Sequence, residues 1–428
     1  MNVVIIGGGS AGTTCAFELR KLNKDINITI LESTSFYEYS PCALPYVISN
    51  EIPNLENIFI YDRKDYESNN IDLKLNSTVK SVDFDSKKVA YVENEEQKEL
   101  TYDKLVVATG ATPFIPKVEG LKEYLTLKTA SDISKLEDEI NREEKFLIVG
   151  GGMVGVEVAE ALGKRGKEVT VIESSSHILS AMLDKDMSKI LKDKLANEGI
   201  TVIENERLTK YDENLGKVIF CTGVIPNDFL NLEKERGYLV NKSLETNIKD
   251  VYACGDVSYS SNMITGEKVL SGLGTTAVRQ GMVVAKNILD MNDSFDSVLN
   301  NTVSKISDLY VGSVGINSDV CYEKGIKFTS GKVKSPVRAH YYSDEENIVV
   351  KLLVDFDYKI LGAQIIGDAE VVGRLNLISL AITKGITVKE LARLETCYNP
   401  ASAPIFDPVT QACNICIKKV DALLKRGV

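Results

Sequence analysis

The chain has 428 residues, 44% hydrophobic and 26% charged, the balance of a folded globular protein rather than a disordered one. At roughly 100–200 residues per domain, that length allows about two to four domains. A net charge of −11 and a pI near 5.1 argue against nucleic acid or an anionic membrane as partner, because phosphate binding needs a basic surface.

No apolar run approaches the ~18 residues needed to cross a bilayer. The first residues read as a strand, with no basic or cleavable leader, so a soluble, cytoplasmic protein is expected. Eight cysteines are scattered without the spacing of a small disulfide framework, which fits a reducing compartment.

In chain order, residues 3–6 form a continuous apolar run, as expected of a parallel strand buried on both faces. A glycine turn, a helix through about Leu22 and a second strand at 27–31 follow. Residues 146–173 repeat this plan, with a helix through about Lys164. Two βαβ units this far apart suggest two nucleotide-binding domains, and the spacing is too long for a solenoid. Between them, 105–110 is a buried strand ending in a turn, 113–120 reads as a linker, and Glu93 to Glu99 as an exposed hairpin. Strand-to-turn segments recur at 218–223 and 251–256. Beyond about residue 303 come strands at 351–354 and 360–366, then helices at 370–384 and 408–425. The expected fold class is therefore α/β, with two Rossmann-like domains and a C-terminal α+β domain.

Gly7-Gly8-Gly9-Ser10-Ala11-Gly12 fits G-x-G-x-x-G, and Glu32 ends the next strand. Gly7 permits the tight turn, Gly9 lets the backbone approach a pyrophosphate, and Gly12 lets the helix pack close to the strand. The helix N-terminus at Ser10 and Ala11 supplies free N–H groups, and Glu32 accepts from ribose hydroxyls. Gly150-Gly151-Gly152-Met153-Val154-Gly155 repeats the fingerprint, with Glu173 at the end of its second strand. A carboxylate there suits a free 2′-hydroxyl and repels a 2′-phosphate. Ser174, Ser175 and Ser176 add no cation, so NADH is favoured over NADPH.

Both fingerprints, Val107-Ala108-Thr109-Gly110 and Ala253-Cys254-Gly255-Asp256 occur in one order. That ordered set resembles the two-dinucleotide-binding-domain flavoproteins, the pyridine nucleotide-disulfide oxidoreductases, over essentially the whole chain. The resemblance implies an FAD domain of residues 1–112 and 242–302, an NAD domain of 113–241, and a C-terminal dimerisation domain of 303–428 serving a homodimer. It implies that Asp256 holds the FAD ribityl chain, and that Gly274, Thr275 and Thr276 open a helix facing the flavin pyrimidine edge. Thr109 and Gly110, with the equivalent Gly223, belong to its cofactor-binding turns, and Glu157 resembles the acid near the nicotinamide.

Cys42 stands in Tyr39-Ser40-Pro41-Cys42-Ala43-Leu44-Pro45-Tyr46, with Val47 where a two-cysteine reductase carries its second thiol. This resembles the single-cysteine group of coenzyme A disulfide reductases, NADH oxidases and NADH peroxidases. In that group one cysteine cycles through a mixed disulfide, a persulfide or a sulfenic acid. Peroxidases and oxidases typically place a histidine where this chain has Ser10, and neither His177 nor His340 lies in a motif that would place it by the flavin. The segment around Tyr398 resembles the stretch lending a tyrosine to the neighbouring subunit's site, so Tyr398 is the candidate proton donor to a leaving thiolate. Two departures stand out. Residues 204–217 replace a longer meander, and Glu38 to Pro41 differ from the serine and asparagine that contact coenzyme A.

The function implied is an FAD-dependent NAD(P)H oxidoreductase passing electrons through Cys42 to a disulfide or polysulfide such as coenzyme A disulfide, with the thiol pKa lowered by the helix dipole and the flavin environment. The alternatives are an NADH oxidase reducing O2, an electron-transfer reductase for a protein partner and, last, a redox sensor. Other features read as structural: Cys15, Cys221, Cys254 and Cys321 as core, Cys413 and Cys416 as an inward helix pair rather than a metal site, and Arg20 with Lys21 as a solvated helix end.

Overall fold

The computed structural model describes residues 1–339, 341–342, 346–368 and 370–427; His340 lies outside them. Among the described residues, three five-stranded sheets organise the fold. The first is parallel, in the order Val251–Ala253, Lys104–Val107, Asn2–Ile6, Asn27–Leu31, Ile71–Lys74. Its central strand buries Val3 to Ile6 almost completely, which explains an apolar run without alternation. Because Val251–Ala253 joins this sheet, the first unit is assembled from segments on both sides of the second.

The second sheet repeats the design, in the order Thr201–Glu204, Glu168–Glu173, Lys145–Val149, Lys217–Phe220, Leu125–Thr126, again all parallel. Residues 205–216 carry one short 3-10 turn, Glu213–Leu215, between their flanking strands. The expected linker at 113–120 begins as structure. Ala111–Pro113 pairs antiparallel with Val224–Pro226, so the chain crosses between the two units on a two-stranded ribbon. The hairpin at 93–99 belongs to a three-stranded meander of Ser77–Asp83, Lys88–Glu93 and Glu96–Thr101.

The C-terminal sheet is antiparallel, in the order Thr302–Ile306, Leu309–Gly315, Ile360–Gly367, Asn347–Asp355, Phe328–Pro336. The helices Val371–Thr383 and Pro408–Lys425 pack on it. A Cβ on Gly331 would stand 2.4 Å from Ala412 O, so the last helix lies directly on the strand. Cys413 and Cys416 are fully buried at that contact, as are Cys15, Cys254 and Cys321 in their own cores.

One expectation fails at the end of the first helix, Ser10–Leu22. Lys21 is exposed, but Arg20 is buried and donates to the carbonyls of Asn23, Lys24, Ile26, Asn69 and Asn70. Its planar fork satisfies loop carbonyls that would otherwise be buried without a donor. Arg20 is therefore an internal brace, not a solvated helix end.

Candidate active site

The two glycine loops are built alike. Gly7 has φ +105° and Gly150 φ +108°, backbone that only glycine adopts without strain. A Cβ on Gly12 would lie 2.0 Å from Gly7 O, and one on Gly155 would lie 1.9 Å from Gly150 O. Gly9 and Gly152 face open space instead. Each acid at the strand end braces its loop: Gly8 N donates to Glu32 Oε2 at 2.8 Å, and Gly151 N to Glu173 Oε2 at 2.6 Å. The helices Ser10–Leu22 and Met153–Lys164 start there without side-chain caps, leaving their first N–H groups for an anion. Both loops thus present an uncapped helix end, an open glycine and a carboxylate in the relation a dinucleotide pyrophosphate and ribose require. Met153 is half-buried at the second loop and Val154 exposed.

Cys42 sits in the 3-10 turn Pro41–Ala43, just ahead of the short helix Leu44–Ile48, and is one of two exposed cysteines. Three contacts fix that segment. Ala130 N donates to Tyr39 Oη at 2.9 Å, Arg165 Nη1 to Ile48 O at 2.9 Å, and Lys164 pairs with Glu51. The chain's own groups act against the expected lowering of the Cys42 pKa. Partial burial and then Glu157 push the Cys42 thiol up, Lys128 acts in the opposite sense, and Asp256 adds to the rise. Within the chain itself, lowering comes from Lys128, whose Nζ lies 3.2 Å from Asp256 Oδ2, and from the backbone at Cys42.

Glu157 projects from the helix Met153–Lys164 toward the first C-terminal strand, where Ser304 Oγ donates to its Oε1. Burial pushes its carboxyl up to about 7, Ser304 lowers it and Glu160 raises it. On the other side of the site, Glu38 is buried; burial likewise pushes it up to about 7, and the neighbouring Ser10 side chain acts in the opposite sense. The position of the expected oxidase histidine thus holds a serine backed by a carboxyl.

The remaining predicted residues divide by location. Thr109 Oγ1 donates to Asn227 O at 2.9 Å and Asn227 Nδ2 to Thr109 O at 2.8 Å, which straps the turn at Gly110 to the returning ribbon. Gly223, with φ +89°, opens the same ribbon. Gly255 N, beside Asp256, donates to the buried Gln280 at 2.7 Å. Gly274 and Thr275 are exposed at the start of the helix Gly274–Ile288, and Thr276 is buried against Ser271. His177 is buried, with Nε2 2.8 Å from Leu183 O, as a structural side chain of the second unit. Tyr398 is exposed, with its hydroxyl 3.1 Å from that of Tyr341; among the described residues no hydrogen bond joins it to Cys42. Cys221 is half-buried beside the second loop, near Glu157, and packs against the core as expected. Sequence reasoning missed Lys128, Ser304, Glu38, Asn227 and Gln280. Among the described residues no cluster of potential metal ligands occurs.

The same phosphate-cradling loop on two separate parallel sheets defines a protein that holds two dinucleotides at once. Residues 1–281 match the pyridine nucleotide-disulphide oxidoreductases and residues 302–408 the dimerisation domain of that group, and the chain belongs to this family. It is an oxidoreductase with FAD and a nicotinamide dinucleotide as cofactors. It is 37% identical to an NADH oxidase of Methanocaldococcus jannaschii, covering 98% of this chain and 99% of that one. It is 31% identical to an NAD(P)H coenzyme A polysulfide/persulfide reductase of Pyrococcus horikoshii, covering 95% and 96%. The structure of an NAD-dependent persulfide reductase from A. fulgidus superposes with a TM-score of 0.94 at 31% identity, over 99% of this chain and 84% of that chain.

Proposed function

We propose that this chain is an NADH-dependent disulfide, polysulfide or persulfide reductase working through Cys42 as a homodimer. The observation carrying this reading is Cys42 itself: an exposed thiol on a braced turn, set among Glu157, Lys128 and Asp256, with Val47 where a second cysteine would stand. When bound, the nicotinamide supplies hydride and FAD conducts the electron pair onward.

The chain supplies the rest. The first loop with Glu32, Thr109, Gly110, Asp256 and the helix start at Gly274 to Thr276 would hold FAD. The second, with Glu173 and Gly223, would admit NADH and disfavour a 2′-phosphate. Cys42 as thiolate attacks one sulfur of the acceptor; that S–S bond breaks, a mixed disulfide forms on Cys42 and the other sulfur leaves as thiolate. Tyr398 of the partner subunit would protonate that thiolate. Two electrons then cleave the mixed disulfide, releasing the acceptor's remaining sulfur as a second thiolate and returning Cys42 to thiolate. Ile405 and Phe406, exposed at 68% and 67% near Tyr398, give the segment an apolar surface that a second copy would cover.

In an anaerobic assay, Cys42→Ser is expected to lose polysulfide and disulfide reduction by on the order of 100-fold or more while still binding FAD. Turnover at the wild-type rate would end this reading. A second reading, NADH oxidation by O2, is favoured by the 37% identity to the Methanocaldococcus jannaschii NADH oxidase. It would show as oxygen uptake exceeding anaerobic polysulfide turnover.

A further inference from the structure

The hairpin that opens the C-terminal sheet, Thr302–Ile306 with Leu309–Gly315, is fastened to two helices of the second unit, Met153–Lys164 and Lys185–Asn197. Ser304 Oγ donates to Glu157, Ser307 N donates to Glu160 Oε1 at 2.8 Å, and Asp308 pairs with Lys194 at 2.7 Å. Two of these three attachments have a simple structural account. Glu160 is also paired with Lys164 at 2.6 Å, and the Asp308–Lys194 pair is at the surface. The Ser304–Glu157 bond differs because Glu157 has no cationic partner among the described residues and faces the reactive turn.

The groups around Glu157 come from every neighbouring element: Glu160 on its own helix, Cys42 on the 3-10 turn, Tyr46 on the helix Leu44–Ile48, Cys221 after the strand Lys217–Phe220, and Ser304. Tyr46 in turn lies beside the Ser304 side chain and the Lys305 backbone. One hydroxyl from the C-terminal sheet therefore donates to the carboxyl and lies beside the phenol that flank the cysteine segment. Among the described residues, the cation acting on the Cys42 thiol is Lys128, already engaged by Asp256.

We propose that Ser304 is a positioning residue for Cys42: its hydroxyl holds the Glu157 carboxyl facing the thiol, and the charge on that carboxyl governs how readily Cys42 ionises. The inference rests on Cys42 being the reactive thiol. A donor to a carboxylate stabilises its charged form, and an anion beside a thiol disfavours the thiolate. As pH rises, Glu157 therefore ionises first and holds back the thiolate, giving a two-step profile that belongs to the pair. The C-terminal unit, remote in sequence, thereby tunes the thiol through one bond.

The test is the alkylation rate of Cys42 in the FAD-loaded protein, followed by peptide mass spectrometry with iodoacetamide between pH 6 and pH 10 (assay range of roughly the thiol and carboxyl titrations). Wild type should show a break where Glu157 ionises. Glu157→Gln should give a single step with its midpoint lower by roughly one unit. Ser304→Ala should move the break upward, Ser304→Thr should restore it, and the Ser304→Ala effect should vanish in the Glu157→Gln background. A Ser304→Ala profile that superposes on wild type, or a shift that persists without Glu157, overturns the proposal. Because alkylation reads ionisation and not turnover, failure of the proposed reductase activity would leave this outcome legible.

Discussion

At Glu173 both carboxylate oxygens are already oriented: Oε2 accepts from Gly151 N, and Oε1 from Ser175 N at 2.6 Å. A carboxylate fixed this way keeps its lone pairs toward the loop mouth, where a ribose hydroxyl can donate and a 2′-phosphate meets repulsion. Glu173→Gln keeps the acceptor geometry and removes the charge. It should raise the NADPH-to-NADH ratio of kcat/KM by about tenfold, and an unchanged ratio would show that the acid does not select the cofactor. This residue was legible from sequence because its partner is a local loop on the same βαβ unit. Lys128 and Ser304 were not. Their partners Asp256 and Glu157 lie 128 and 147 positions away, and no local pattern marks a lone lysine or serine for such a contact.

Among the elements, the glycine loops separate folding from binding. The Cβ of Gly155→Ala would collide with Gly150 O at 1.9 Å, and backbone cannot give way cheaply; a loss of about 1–3 kcal/mol is expected, read as a lower thermal midpoint. Gly152 has nothing within 4 Å, so Gly152→Ala should leave the midpoint unchanged and raise KM for NADH as the methyl occupies the pyrophosphate approach. Equal effects on both readouts would contradict this division. Elements were legible where period and punctuation agreed: the helices Val371–Thr383 and Pro408–Lys425 fall within a few residues of their expected bounds. The linker read from Pro113 onward holds over 114–118, but the strand Ala111–Pro113 that opens it was missed, because three residues with a proline carry too little pattern and the partner lies beyond residue 220. Arg20 was misread for a related reason: a basic residue near a helix end is usually solvated, and only the loop at Asn69 and Asn70 shows otherwise.

Across the whole molecule, the second unit and the C-terminal sheet are joined by a buried ionic knot as well as by Ser304. Lys351, on the strand Asn347–Asp355, places Nζ 2.7 Å from Asp184 Oδ2 and 2.5 Å from Asp186 Oδ1. Asp184 also accepts from Ser318 N at 2.8 Å and Ser318 Oγ at 2.7 Å. A lysine in the middle of an otherwise apolar strand reads from sequence only as an interruption; its meaning appears once the two units are brought together. Burial alone would raise the Asp184 carboxyl, but Lys351 and Ser318 more than offset it and hold it below the usual carboxylate value. A depressed folded value means that this pairing stabilises above the ordinary carboxylate pKa and is lost only as pH falls through the lowered one. Lys351→Met leaves Asp184 buried and charged without its cation, which should cost about 3–5 kcal/mol at neutral pH. Without Lys351 the Asp184 carboxyl rises, so acidification toward pH ~5 lets it take up a proton and relieves the variant while wild type keeps its pair. Urea unfolding of the FAD-loaded protein at the two pH values should therefore show a deficit that narrows in acid. A deficit that stays constant would place the cost in lost packing of the lysine stem rather than in the stranded charge.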